Sequence, residues 1–141
     1  MKKKNTNDLQ TELITAPDLS RFLSENKDNF IETNLSQLLK DLFDKKNISK
    51  AALAKSAGIS EVYLYQIFSG GRNPSRNRTL ALCIGLSASL EETQELLKSG
   101  GHVPLYTKNR RDTIIMYGIA HQMDLNQIND QLFAEGEETL Y

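Results

Sequence analysis

The stretch from Ser49 to Phe68 leaves this chain few ways to fold. Ser49 is a strong helix N-cap, and Lys50 to Ala57 follow it with Ala51, Leu53, Ala54 and Ala57 as apolar positions. Gly58 stands where a helix ends in a left-handed residue, the conformation that costs glycine least. Ser60 is the next N-cap, only two residues later. The run Val62-Tyr63-Leu64-Tyr65-Gln66-Ile67-Phe68 is rich enough in β-branched and aromatic residues for a strand. It lacks alternation, however, and the cap just before it selects a helix. Two short helices joined by a tight turn are therefore expected. Ala54 is small enough to let a second helix cross close by, while Ile59, Leu64 and Ile67 pin that helix to the core.

The flanking sequence continues in the same style. Asp18 caps a short segment from Leu19 to about Asn26, with Phe22 and Leu23 on one face. Asn34 precedes Leu35, Leu38, Leu39, Leu42 and Phe43, which recur at helical spacing. Ser69 to Ser75 is a loop by composition. A helix is expected from Arg76 to Leu86, with Thr79, Leu82, Cys83 and Leu86 on one face. Ser89 and Glu92 form a capping box ahead of Leu90, Leu96 and Leu97. Helices over about 108–122 and 125–133 complete the chain as an antiparallel pair, with Ile114, Ile115, Gly118, Leu125, Ile128 and Leu132 as expected contacts. The fold class is all-α. Residues 1–17 read as a loose arm, and Glu137-Glu138 as the start of a fraying tail. The expected organisation is 1–34 arm and short helix, 35–99 helical domain, 100–141 helical extension.

Charge narrows the partners. The chain has 141 residues and a formal net charge of −1. Residues 35–86 nevertheless carry Lys40, Lys45, Lys46, Lys50, Lys55, Arg72, Arg76 and Arg78 against Asp41, Asp44 and Glu61. A basic middle between acidic flanks points to an anionic partner for the middle segment. A membrane span needs about 18 apolar residues, and the longest apolar runs here, Leu80–Leu86 and Ile114–Ala120, have seven each. With Asn-Thr-Asn-Asp after the lysines at 2–4, no signal peptide is read, and a cytoplasmic protein is expected. One cysteine and two distant histidines supply no disulfide framework, no cysteine-based zinc site and no metal set. No nucleophile–base pair and no phosphate-loop motif is visible, so neither an enzyme nor a cofactor is expected.

The two short helices and their turn make a helix-turn-helix, whose second helix leaves Glu61, Val62, Tyr65 and Gln66 facing outward. Leu35 to Leu97 resembles the lambda-repressor-like (Cro/repressor, XRE-type) family. The resemblance rests on Leu53-Ala54-x-x-Ala57-Gly58-Ile59-Ser60-x-x-x-Leu64-x-x-Ile67 and on the downstream Gly70-x-Arg72-x-Pro74-Ser75 loop. It implies a five-helix bundle that binds double-stranded DNA as a homodimer. By that resemblance Glu61, Val62, Tyr65 and Gln66 read base edges, while Ser49, Lys50, Ser60, Arg72, Asn73, Ser75, Arg76 and Arg78 meet the phosphate backbone. Lys50 stands where the family commonly has Gln, which suits phosphate.

Other residues have plainer readings. Cys83 is a buried thiol beside Leu82 and Leu86, His102 and His121 are surface or capping residues, and Lys2, Lys3 and Lys4 solvate the terminus or reach DNA. Two functions stay open at this level. One is a sequence-specific transcription regulator. The other is an interaction module that keeps the helix-turn-helix as scaffold and binds a protein partner through the C-terminal helices.

Overall fold

The computed structural model describes residues 4–27 and 35–141. Among these the chain is entirely helical, as expected, with helices α1 Thr6–Thr15, α2 Leu19–Glu25, α3 Leu35–Lys46, α4 Lys50–Ala57, α5 Glu61–Phe68, α6 Arg76–Gly85, α7 Leu90–Ser99, α8 Arg110–Ala120 and α9 Leu125–Ala134. None is long and apolar enough to cross a membrane. The expected cap at Asn34 and the lysines at positions 2 and 3 lie outside the described residues. The chain divides into two compact units, Met1–Glu32 and Thr33–Tyr141.

In the first unit, the expectation of a loose arm over 1–17 is corrected: α1 is a regular helix of ten residues. Asn5 caps it by accepting the Asp8 N–H at 2.8 Å. None of its residues is buried, so no hydrophobic period marks it in the sequence. Its support is polar. Lys4 pairs with Glu12 and donates to Asn26 at 2.8 Å, and Asn26 donates to Glu12 at 3.2 Å and to the Phe22 carbonyl at 3.0 Å. Phe22 is buried as expected, but Leu23 is exposed, because the seven-residue α2 turns only one narrow stripe inward.

The second unit is built around α6. Leu80-Ala81-Leu82-Cys83-Ile84 are all buried, so this helix is apolar on every side and sits between two clusters. Leu82, Cys83 and Leu86 join α3, α4, α5 and α7 in the first cluster, around Leu39, Leu53, Leu64 and Ile67. Leu80, Ala81 and Ile84 join Leu97, Leu105, Ile115, Ile119, Leu125, Ile128 and Leu132 in the second. The five helices α3–α7 are the expected bundle, and α8 and α9 form the expected pair, docked on it. Gly118 permits their approach, since a methyl there would lie 2.4 Å from Ile128 Cγ1. Ala54 is buried in the first cluster, and α6 also approaches α4 closely: a methyl on Gly85 would meet Ala57 N and Leu53 Cδ1 at 3.2 Å each.

The expectation of a fraying tail is also corrected. Arg110 donates to the Glu135 carbonyl and carboxylate, both at 2.8 Å, and pairs with Glu137 at 3.1 Å. Arg111 donates to the carbonyls of Glu138 at 2.8 Å and Thr139 at 3.2 Å. Leu140 is buried in the second cluster, and its N–H donates to Asn129 Oδ1 at 2.8 Å. Two arginines at the start of α8 thus hold the acidic run flat, and one leucine anchors it.

Candidate nucleic-acid interface

The local sequence builds α4, the turn and α5 as expected. Gly58 takes φ +68°, and its N–H and that of Ile59 return to the carbonyls of Lys55 and Ala54. This closes α4 while turning the chain sharply. Ser60 Oγ accepts the Tyr63 N–H at 3.0 Å and starts α5. Leu64, Ile67 and Phe68 are buried, with the Phe68 ring 5.3 Å from that of Phe43, so one side of α5 is fixed to the core. The other side presents Glu61, Val62, Tyr65 and Gln66 to solvent, with Val62 and Tyr65 each about two-thirds exposed. Glu61 lies in the first turn, where a carboxylate interacts favourably with the positive end of the helix dipole.

Three helix starts in the segment that contains this face share a common chemistry. Ser49, Ser60 and Ser75 each accept the backbone N–H of the residue three further on, at 3.1, 3.0 and 3.2 Å. A serine hydroxyl that accepts in this way keeps its own proton to donate. A phosphate oxygen beside any of these caps would meet that proton and the helix's first N–H groups. Lys50 is exposed at the first position of α4. With Lys40, which belongs to the basic middle but not to the expected site residues, it lines a groove that also includes Phe43, Asp44, Tyr65 and Phe68. The groove thus carries two ammonium groups on α3 and α4 and the Asp44 carboxylate, beside an aromatic of α5.

The loop after α5 is exposed at Arg72, Asn73 and Ser75 and buried at Pro74. The Arg72 guanidinium lies over the Tyr63 ring, 5.2 Å from its centroid, which restrains a long cation on the edge of the presenting face. Arg76 and Arg78 are placed differently. Arg76 makes a two-pronged contact with Asp112, at 3.2 and 2.9 Å, and donates to the carbonyls of Val103 at 2.8 Å and Pro104 at 3.3 Å. Its side chain is 25% exposed and that of Asp112 only 7%. Arg78 is half-buried and reaches back 3.4 Å to the Gly58 carbonyl in the turn. Both guanidiniums therefore brace the fold beside the exposed face.

Sequence reading gave no role to Asp112 and saw no partner for His102. Asp112 also accepts the Tyr106 N–H at 3.0 Å, and His102 Nε2 lies 3.0 Å from the Pro74 carbonyl. The only local signal was the Asn109-x-x-Asp112 cap of α8, in which Asn109 accepts the Asp112 N–H at 2.9 Å. Cys83 is buried as expected, and burial pushes its thiol up to about 12, leaving it protonated and unreactive.

This geometry coincides with a family match: residues 39–92 fit the model described as helix-turn-helix, which covers lambda-repressor-like, XRE-type domains. Residues 39–92 form a helix-turn-helix domain. The match covers less than half of the chain but includes every expected site residue from Ser49 to Arg78. Neither the curated proteins nor the solved structures give a significant match. The domains that this family model describes are a DNA-binding regulatory class, not typically enzymatic. In this chain α4 and α5 are the motif itself, and the residues that grip its downstream loop, from His102 onward, lie outside the matched segment.

Proposed function

We propose that this protein is a sequence-specific transcription regulator that binds double-stranded DNA with α5 in the major groove. The observation that carries the reading is the two-sided character of α5. Leu64, Ile67 and Phe68 are buried while Glu61, Val62, Tyr65 and Gln66 are exposed, with Lys50 in a groove beside Tyr65 and Arg72 over the Tyr63 ring. Gln66 can pair in two places with an adenine edge, Val62 can pack on a thymine methyl, and Glu61 can accept from a cytosine amino group. Ser49, Lys50, Ser60, Arg72, Asn73 and Ser75 supply phosphate contacts, which set position more than sequence. Arg76 and Arg78 support the reading from behind, as braces.

The protein acts as a homodimer in this reading, because two half-sites one helical turn apart multiply a modest affinity. Ile115, Gly118, Leu125, Ile128 and Leu132 are consumed within the chain, so a second copy meets the outer side of the extension. There Ile114 and Tyr117 of α8 line an open groove with Gln131 of α9 and Glu135, which caps it. With DNA as partner, the protein works in the cytoplasm beside the chromosome. Selection of bound duplexes from a random pool tests all of this. A palindromic consensus is expected, and a pool that shows no enrichment overturns the reading.

A further inference from the structure

We propose that Asp112 and His102, in the extension beyond the helix-turn-helix domain, are positioning residues for DNA binding: they hold the loop Arg72–Ser75 and the start of α6 in the geometry that meets phosphate. The proposal rests on the DNA reading above and extends it to residues that touch no DNA.

The loop is tied at two ends, the far one by two parts of the molecule. At its near end Gly70 and Gly71 donate to the carbonyls of Ile67 and Gln66, at 3.1 and 3.0 Å, and Arg72 leans on Tyr63. These ties belong to the helix-turn-helix domain. At its far end Ser75 is held within the domain, by capping α6 and by accepting at its carbonyl from Thr79 Oγ1 at 2.8 Å. In addition the Pro74 carbonyl meets His102, and Arg76, the first residue of α6, is held by Asp112 and by the carbonyls of Val103 and Pro104. The ties on Pro74 and Arg76 come from residues 102–112. Without them the loop would sample more arrangements, and each phosphate contact would have to bear that ordering cost on binding.

Asp112 is suited to this work. Its carboxylate accepts three N–H groups, two from Arg76 and one from the Tyr106 backbone. It also lies in the first turn of α8, where the helix dipole favours its charge. The two-pronged geometry fixes the Arg76 plane as well as its distance. His102 adds a second tether two residues before Arg76, on the Pro74 carbonyl within the loop.

Charge alone predicts the opposite of positioning, and this makes the proposal testable. Asp112→Asn removes a negative charge and frees the Arg76 cation, so simple electrostatics makes DNA binding tighter. Positioning makes it weaker. The full-length protein, wild type and D112N, is titrated with the selected duplex at several salt concentrations, alone and combined with R72A or Q66A. We expect D112N to remain folded by circular dichroism and to bind about tenfold more weakly, the scale of coupling between groups in one network. We also expect R72A to cost less in the D112N background than in wild type, because a displaced loop has less to lose, and Q66A to cost the same in both. Equal or tighter binding by D112N overturns the proposal, as does an R72A cost that is unchanged by D112N. If D112N does not fold, His102→Ala, which leaves the Pro74 carbonyl without its donor, is compared with wild type instead: weaker binding and a smaller R72A cost are expected, and equal binding or an unchanged R72A cost overturns the proposal. A wild-type protein that binds no duplex overturns the DNA reading and this proposal together, whereas failure of the D112N comparison alone leaves the DNA reading standing.

Discussion

Within α5, neighbouring side chains have opposite work to do. Leu64 is 1% exposed, and Gln66, two residues on, faces solvent. Leu64→Ala should destabilise the fold by about 2–5 kcal/mol, the cost of emptying a core leucine site. Gln66→Ala should leave thermal stability nearly intact and cost about 1–3 kcal/mol of discrimination at one base pair per half-site. Thermal melts and a panel of single-base operator variants check the two halves of that dissociation. If Gln66→Ala keeps the wild-type ratio of cognate to scrambled binding, Gln66 does not read bases. At Gly118 the constraint is steric. An added methyl would lie 2.4 Å from Ile128 Cγ1 and 2.7 Å from its Cδ1, so the two helices would have to separate. Gly118→Ala should therefore cost about 1–3 kcal/mol of stability, the range for overpacking. A midpoint of urea unfolding equal to wild type would show that α9 shifts freely.

At the scale of the element, helix starts recur both as structural closures and as candidate phosphate sites. The loop that leads from α5 to α6 carries Arg72 as an exposed cation. Arg72→Ala should weaken all duplexes alike and lower the log–log salt slope by about 0.9, one lost phosphate contact. An unchanged slope would remove Arg72 from the interface. The start of α7 has a different task. Glu92 accepts the Ser89 N–H at 2.8 Å in a reciprocal capping box and pairs with Lys46 at 3.3 Å. The Ser89 N–H, first, and Lys46 hold the Glu92 carboxyl below the ordinary carboxylate range. Because the folded state binds that proton less readily than the unfolded chain, the contribution is complete above the unfolded value. It is lost as pH falls through the lower, folded one. Glu92→Gln keeps an acceptor for Ser89 and removes the titration. The stability advantage of wild type over this variant should shrink as pH drops from neutrality into the acid range. An advantage independent of pH would mean the charge contributes nothing.

At the scale of the whole molecule, α6 ties two clusters into one unit. Its outer face, Leu80, Ala81 and Ile84, has as partners Leu105, Ile115, Ile119, Leu125, Ile128, Leu132 and Leu140, all of which lie beyond Gly101. Truncation after Gly101 should therefore expose that face of α6 and cost most of the chain's stability, with loss of a cooperative melt and of any dimer. A truncated protein that keeps the thermal midpoint and the oligomeric state of the intact one would show that the extension serves neither purpose. Tyr141 makes the same point at the turn: its ring lies 3.2 Å from where a methyl on Gly58 would stand, and its hydroxyl donates to Asn126 at 2.6 Å.

The parts of this protein that could be read without a structure are those in which the cause lies within a few residues of the effect. A serine three residues before the amide it caps, a glycine at φ +68° and the apolar spacing of Leu64 and Ile67 are local, so the motif and its exposed face were legible. The strand-like composition of Val62–Phe68 yielded to its cap for the same reason. For α6 the sequence reading found one apolar face, Thr79, Leu82, Cys83 and Leu86, and the second cluster shows that Leu80, Ala81 and Ile84 are covered as well. Other features depend on partners far along the chain. Arg76 reads as a phosphate cation until Asp112, 36 residues away, is folded against it. The acidic tail reads as solvated until Arg110 and Arg111, 25 to 28 residues earlier, draw it down. The helix α1 buries nothing and so leaves no period to detect. Local spacing records which way a side chain faces, but only tertiary packing decides whether a charge that faces outward is left for a partner or already holds one.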